Sequence, residues 1–358
     1  MRTKTNMLGQ RVSCFSICGE IMRLITIFAA LLAATLPALA RDNEKLMEAY
    51  FSVVMIRGYH NNGGLAYGSG VVVGDNKVIT NCHVLRTSRQ PWISRGEDTY
   101  SIISVKADAW HDLCLVSSSG LPFKPVRIGS SIDLKFGQQV VAFGHSNGVP
   151  APLTSVGNVE GLFLSEHGKV IRSSAKFLIG ASGSGLFDEE GRLVGINTFK
   201  TSGKGGGAHY ALPIEWLETL EKQPEQTTFP IVGKALWEED EDKKPYYMQA
   251  AVPEVRQDWP KLAQIALSWT KAEPGSTEAF YALGLAYENL AKADMAAQAY
   301  SQAVALESNN FEAWVRIGVL AKNRGDNAEM HRAQVALNNI DKNLGDEYSR
   351  MLECNATC

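Results

Sequence analysis

The chain has 358 residues, a formal net charge of −3, and 45% hydrophobic and 20% charged residues. So even a charge balance excludes the basic footprint of a nucleic-acid-binding protein, and the apolar share excludes a chain that stays disordered throughout. The length exceeds what one hydrophobic core usually organises, so more than one domain is expected.

The chain opens on a segment that reads as an export signal. From Met22, the pair Met22-Arg23 precedes an apolar run from Leu24 to Leu36, and Ala38-Leu39-Ala40 offers the small residues that a signal peptidase accepts. The run is shorter than a membrane span. Residues 1–40 are therefore expected to be a signal peptide, with Met22 the suspected true start and an uncleaved anchor as the alternative. The cleaved protein would reach the periplasm or the medium of a bacterium, without stable membrane insertion.

Residues 45–220 then alternate short Val-, Ile- and Phe-rich runs with turn signals, and no long helical period begins before about Ile214. The expected strands include Gly68 to Val73, Val78 to His83, Ile102 to Val105, Leu113 to Val116, Gln139 to Phe143, Gly157 to Leu164, Lys169 to Ser173 and Leu193 to Thr198. The turn Gly74-Asp75-Asn76-Lys77 joins the first two as a hairpin, so His83 falls where a strand runs out into a loop.

The segment Gly180-Ala181-Ser182-Gly183-Ser184-Gly185 sets a serine among glycines. Glycine frees the backbone, so the amides of Gly180 and Ser182 can converge beside the Ser182 hydroxyl, as an acyl-transfer nucleophile requires. A hydroxyl alone is a poor nucleophile, and it needs a base and an orienting carboxylate. His83 supplies the first. Asp112, which opens the apolar strand after His111, supplies the second, because it can hold one ring nitrogen of His83 while the other takes the Ser182 proton.

Other residues compete. A plain Gly/Ser surface turn is the common fate of such a string, Ser184 is the alternative nucleophile, and Asp108 the alternative acid. Asp112 is favoured because it opens the apolar strand and His111 would then point away from it. Ser173-Ser174-Ala175-Lys176 matches a Ser-x-x-Lys pattern too short to be informative. His60, His145, His167, His209 and His331 show no paired ligand spacing, so no metal site is expected, and no cofactor.

With Gly68-Ser69-Gly70-Val71-Val72, Val78-Ile79-Thr80-Asn81-Cys82-His83-Val84, Asp112-Leu113-Cys114-Leu115, Gly137 to Gly144, Gly191 to Thr198 and Tyr210-Ala211-Leu212-Pro213, residues 50–220 resemble the trypsin-like serine proteases. The bacterial HtrA/Deg branch is the most similar. The resemblance implies a double β-barrel with the site in the cleft between barrels. It also implies His83 as base, Asp112 as orienter, Ser182 as nucleophile, and the amides of Gly180 and Ser182 as oxyanion hole. Two positions depart from the family pattern: Ala181 stands where Asn or Asp is usual, and Ser184 where a second glycine is usual. Phe177-Leu178-Ile179 are expected to line the primary substrate pocket and favour an apolar residue there, whereas Lys176 would favour an acidic one.

Removal of residues 1–40 discards Cys14 and Cys18 and leaves Cys82, Cys114, Cys354 and Cys358. Because His83 and Asp112 must meet, their neighbours Cys82 and Cys114 must also come close, and either a disulfide or two buried thiols satisfy that. Cys354 and Cys358, four apart in the tail, could close a small loop. A nucleophile at Cys82 lacks a supporting motif.

From Glu221 the composition changes. Residues 221–252 hold Pro224, Pro230, Pro245 and the run Glu238-Glu239-Asp240-Glu241-Asp242, which reads as a solvated linker. In residues 253–345 the period becomes helical, and Phe280, Leu283, Gly284, Tyr287, Ala291, Ala296, Tyr300 and Ala303 are echoed 34 residues later by Trp314, Ile317, Gly318, Ala321, Gly325, Met330, Gln334 and Leu337. This period resembles tetratricopeptide repeats, and Leu262, Ala266, Trp269 and Pro274 fit the second half of a preceding unit. Such repeats imply a groove for a peptide or protein partner. Residues 346–358 form a tail.

The sequence thus points to a multidomain chain: an all-β trypsin-like double barrel followed by an all-α repeat domain, where the HtrA branch usually carries PDZ domains. The expected activity is exported serine endopeptidase action on protein or peptide substrates. The alternative is a catalytically inactive protease-like scaffold that serves as an adaptor through its repeats.

Overall fold

The computed structural model describes residues 44–60, 62–201 and 208–353. The expected signal peptide, Met22, and the pair Cys354 and Cys358 lie outside the described residues. Among the described residues no helix is long and apolar enough to cross a membrane.

After a helix over residues 44–51 (α1), six antiparallel strands form the first barrel: β1 (Val53–Tyr59), β2 (Leu65–Gly74), β3 (Lys77–Asn81), β4 (Trp92–Arg95), β5 (Asp98–Asp108) and β6 (Leu113–Ser118). They run in the order β5-β4-β1-β2-β3-β6, and pairing of β5 with β6 closes the ring. The expected hairpin is present, with Val71 opposite Ile79. Its turn places Asn76 at φ 57°, a left-handed conformation that asparagine tolerates. Val54, Ile56, Val72, Val78, Ile93, Val105 and Val116 fill the interior, as the alternation of side chains along a strand dictates.

A short parallel strand β7 (Arg127–Ile128) leads to the second barrel, made of β8 (Gln139–Gly144), β9 (Leu153–Ser165), β10 (Gly168–Ser173), β11 (Ser184–Asp188), β12 (Arg192–Lys200) and β13 (His209–Pro213). The order is β11-β8-β9-β10-β13-β12, closed by β11 on β12. Two closed barrels leave few exposed edges, and each interior is apolar.

One expectation is corrected at the first hairpin. The second strand ends at Asn81, and His83 lies in a single helical turn, α2 (Cys82–Leu85). The turn forms because Asp112 caps it: the Cys82 amide donates to the Asp112 carbonyl at 3.1 Å and the His83 amide to Asp112 Oδ1 at 2.8 Å. First-turn amides lack intrahelical partners, and here a residue distant in sequence provides them.

The stretch after the barrels departs from the solvated linker that its prolines and acids suggested. After α3 (Trp216–Glu221), strand β14 (Glu225–Gln226) pairs with β5, and Ile231, Ala235 and Leu236 are buried. Helix α4 (Tyr246–Arg256) runs across the expected boundary at residue 252. Of the acidic run only Asp240, Glu241 and Asp242 face solvent, while Glu238 and Glu239 are half-buried and paired with Arg86 and Lys234. Burial of the interspersed apolar side chains outweighs the exposed charges.

Six further helices follow: α5 (Trp259–Ala272), α6 (Thr277–Asn289), α7 (Ala293–Leu306), α8 (Phe311–Arg324), α9 (Asn327–Ile340) and α10 (Lys342–Glu353). The 34-residue register is visible in their starts, since 311 − 277 and 327 − 293 both equal 34, and in the capping residues Ser276 and Asn310. Gly284 permits close approach of α6 and α7, because a Cβ there would lie 2.6 Å from the Tyr300 ring of α7. Gly318 is met differently: its neighbour is Tyr348 of α10, at 1.9 Å from such a Cβ, and not residue 334 of α9.

Barrel and helices share one core. Phe163 of β9 stacks on Tyr247 of α4 at 4.7 Å and lies 6.1 Å from Trp269 of α5, while Arg172 pairs with Glu254 at 3.4 Å. Glu278 accepts the Leu162 amide across this seam at 3.2 Å, and desolvation pushes its carboxyl up to about 7. A carboxyl whose folded pKa is raised contributes stability that is complete below about 4.5 and is lost as pH rises through about 7. The melting temperature is therefore expected to fall between pH 5 and pH 8, by the equivalent of roughly 1–3 kcal/mol. Glu278→Gln should abolish that part of the fall while keeping the Leu162 contact; equal slopes for both proteins would refute the assignment.

Candidate active site

Asp112 sits at φ 56° between β5 and β6, a left-handed conformation uncommon for a residue with a side chain and concentrated at functional sites. It is fully buried. A buried carboxylate must be hydrogen-bonded, and this one has three donors. Oδ1 accepts the His83 amide at 2.8 Å, and Oδ2 faces His83 Nδ1 at 2.6 Å and accepts Trp237 Nε1 at 3.1 Å. The acceptor Oδ2 at this distance holds the Nδ1 proton, so the Nε2 lone pair of His83 is the one left free. The His83 ring is half-buried and lies edge to face with Trp237 at 5.5 Å.

The covalent frame beneath this pair is a disulfide. Cys82 and Cys114 are bonded, with Cα atoms 5.0 Å apart, directly beside His83 and two residues beyond Asp112. Of the two options the sequence left open for these cysteines, the bond is the one formed.

The competing acid, Asp108, is engaged elsewhere. Its Oδ2 faces His111 Nδ1 at 2.7 Å, and the His111 ring lies on Trp216 at 4.1 Å. His111 thus points away from His83, as the register of an apolar strand opening at Leu113 requires.

The serine loop reaches the same cleft from the second barrel. Gly183, at φ 83°, is forced by contact with the first barrel: a Cβ there would sit 2.2 Å from the Ser69 carbonyl and 3.0 Å from the Asn81 amide. The Ser182 carbonyl accepts the Ser69 amide at 2.8 Å. These contacts bring Ser182 alongside the turn that carries His83. Among the described residues no hydrogen bond joins the Ser182 hydroxyl to His83, and such contacts commonly tighten only when substrate binds.

The backbone around Ser182 is pinned from behind. Ile179 O accepts the Asn147 amide at 2.6 Å, Gly180 O accepts Ser69 Oγ at 2.8 Å, and Ala181 O accepts the Ser184 amide at 2.9 Å. In a planar trans peptide the N–H points opposite to the C=O, so fixing the carbonyls of Ile179 and Ala181 turns the amides of Gly180 and Ser182 the other way. Among the described residues neither amide has an acceptor. None of the pinning bonds uses the side chain at position 181, and the Ala181 methyl is buried beside Gly144. The departure at Ala181 therefore leaves the loop's geometry in place.

Ser184 is no rival in position. It is fully buried and its hydroxyl accepts Asn197 Nδ2 at 3.0 Å. Of the residues expected around the substrate pocket, Leu178 and Ile179 are 47% and 74% exposed. Phe177 is buried against the His209 ring at 4.9 Å. Lys176 is exposed and shares a cavity of about 460 Å³ with Ser173, Ser174 and His209 on the side facing the helices. Burial, followed by the nearby charge of Lys200, pushes the His209 imidazole down. His145 is also pushed down by burial, and its Nδ1 faces the Val149 carbonyl at 2.9 Å. Among the described residues no cluster of side chains has the composition to hold a metal ion.

Two contributors escaped the sequence. Ser69 stands within a glycine motif that says nothing of its role, yet its hydroxyl accepts the His145 amide at 2.9 Å while donating to Gly180 O, so it ties the two barrels at the site. Trp237 lies in the supposed linker and carries no motif that could have flagged it.

Part of the chain is similar to known proteins. The model of the trypsin-like peptidase domain matches residues 68–196. A probable periplasmic serine endoprotease DegP-like of Ectopseudomonas mendocina (strain ymp) is 32% identical over 157 residues, 41% of this chain and 33% of that protein. Protease Do-like 1, chloroplastic, of Arabidopsis thaliana is 28% identical over 183 residues, 46% of this chain and 42% of that protein. Less than half the length of each of these relatives is therefore spanned. Among solved structures, the Rv3671c protease of M. tuberculosis in its active form aligns at a TM-score of 0.47 and 24% identity, covering 56% of this chain and 91% of that one. With the family match lying on the two barrels and the DegP-like likeness beside it, the chain carries a trypsin-like peptidase domain and is related through it to the HtrA/DegP-like serine proteases.

Proposed function

We propose that this protein is an exported serine endopeptidase acting through His83, Asp112 and Ser182. The observation that carries the reading is the buried Asp112 carboxylate held 2.6 Å from His83 Nδ1, next to a serine loop whose Gly180 and Ser182 amides are unengaged. On this reading His83 Nε2 takes the Ser182 proton as Oγ attacks the scissile carbonyl, and the two amides receive the oxyanion. His83⁺ then protonates the leaving amine. Water, activated by the same imidazole, releases the acyl group from Ser182.

Export is supported by the amino-terminal signal pattern and by the Cys82–Cys114 bond, which is typical of oxidising compartments. The helical region, with its 34-residue register, is proposed to bind a protein or peptide, either a partner or a substrate. The residues Lys176 to Ile179 are proposed to bound the pocket for the side chain preceding the scissile bond. Exposed Leu178 and Ile179 favour an apolar residue, and Lys176 an acidic one.

The test is fluorophosphonate labelling of the mature protein beside Ser182→Ala, with the cleavage sites in digested casein sequenced from the same preparation. Labelling of the wild type alone is the expected result. Absence of labelling in both would overturn the hydrolytic reading in favour of an adaptor, and cleavage after Arg or Lys would overturn both pocket assignments.

A further inference from the structure

Trp237 donates its indole N–H to Asp112 Oδ2 at 3.1 Å, sharing that oxygen with His83 Nδ1. It lies beyond the family match at residues 68–196, on the stretch that leaves the barrels for the helices. The contact is held by the local structure around it. Leu236 is buried and its amide donates to the Trp110 carbonyl at 2.9 Å. Glu238 pairs with Arg86 at 2.6 Å and accepts the Ala235 amide at 2.8 Å, while Arg86 also donates to the Gly233 carbonyl at 2.9 Å. Both neighbours of Trp237 are thus fixed to the first barrel within a few residues of the catalytic turn. The ring itself lies edge to face with His83 at 5.5 Å and stacks on Phe199 at 6.4 Å.

We infer that Trp237 is a positioning residue for the His83–Asp112 pair, a third anchor supplied by the segment after the barrels. The inference rests on the hydrolytic reading above. Asp112 has two oxygens and three donors; the backbone amide of His83 fixes Oδ1, but it cannot by itself fix the direction in which Oδ2 meets the imidazole. A second, rigid donor on Oδ2 removes that freedom, and a hydrogen bond to an ionised group is the strong kind. Edge-to-face contact with the ring restricts His83 further. The helical region is joined to the site through the same element, because Phe199 stacks on Tyr210 and Tyr210 adjoins Tyr247 of α4.

The test compares the full-length wild type, Trp237→Phe, Asp112→Asn and the double variant, with a fluorophosphonate-rhodamine probe giving the maximal acylation rate and the half-saturating concentration separately. Phenylalanine keeps an aromatic ring, smaller than the indole, and removes the donor. The expected result is an acylation rate about tenfold lower in Trp237→Phe, the equivalent of about 1.4 kcal/mol, with the half-saturating concentration within twofold of wild type. In the Asp112→Asn background the same change should have no further effect, because its target is gone. A structural role for the ring would instead give additive losses or a shifted half-saturation, and either result, or an unchanged rate in Trp237→Phe, overturns the inference. Failure of the wild type to label would sink the hydrolytic reading separately. The contact is then read from the Trp237 indole N–H resonance, which should move in Asp112→Asn; a fixed resonance overturns the inference on its own.

Discussion

Asp112→Asn is expected to lower turnover about 10⁴-fold while leaving the protein folded. The direction of the amide decides this outcome, and the neighbours fix that direction. The His83 backbone amide donates to Oδ1, so the asparagine oxygen will occupy that position and its NH₂ the position of Oδ2. The NH₂ then faces Nδ1 of His83, which must turn its lone pair toward it and carry its proton on Nε2. A histidine protonated on Nε2 cannot accept the Ser182 proton. Trp237 Nε1 meets the same NH₂ and loses its acceptor, which favours a flip, so it is the shorter contact from the His83 amide, 2.8 Å against 3.1 Å, that holds the asparagine oxygen at Oδ1. Steady-state proteolysis of casein, with thermal unfolding as a control for folding, checks the prediction. A loss below about tenfold in a folded variant would show that Asp112 does not set the tautomer.

Replacing both Cys82 and Cys114 with Ala is expected to cost about 3–4 kcal/mol of stability, from the entropy restored to an unfolded chain no longer closed across 32 residues. Both positions are buried, so the alanines leave little polar burden behind. The site should suffer less than the fold: α2 remains capped by Asp112 through the bonds from the amides of Cys82 and His83, which do not involve sulfur. Denaturant titration of oxidised wild type against the double variant measures the first effect, and the acylation rate of the folded variant the second. An equal midpoint for the two proteins would mean that the bond does not constrain the unfolded chain, and a rate loss above about a hundredfold would mean that it orders the site directly.

The barrels were legible because strands with alternating apolar residues and glycine- or asparagine-bearing turns announce themselves locally. The hairpin through Asn76 came out as read, while β5 and β9 proved longer than the runs that signalled them, since pairing extends a strand past its apolar centre. The 34-residue register was equally visible, although the partner of Gly318 was not, because Tyr348 lies outside the repeat that the period defines. The stretch from 221 to 252 departs from a solvated linker for a related reason. Acids and prolines dominate its composition, whereas its position is set by few apolar residues, Ile231, Leu236 and Tyr247, whose destinations are elsewhere in the chain.

The sequence by itself determined the order His83, Asp112, Ser182, the two-part architecture and the pairing candidates Cys82 and Cys114, because residue type, spacing and periodicity are local properties. Tertiary structure alone decided how Asp112 meets His83, through Oδ2 on the ring and Oδ1 on the backbone amide, that the Gly180 and Ser182 amides are turned free by carbonyls pinned at Asn147 and Ser184, and that Trp237 reaches Asp112 from 125 residues away. Those are directional contacts between distant segments, and hydrogen-bond direction depends on how barrels and helices pack, which no stretch of sequence encodes on its own.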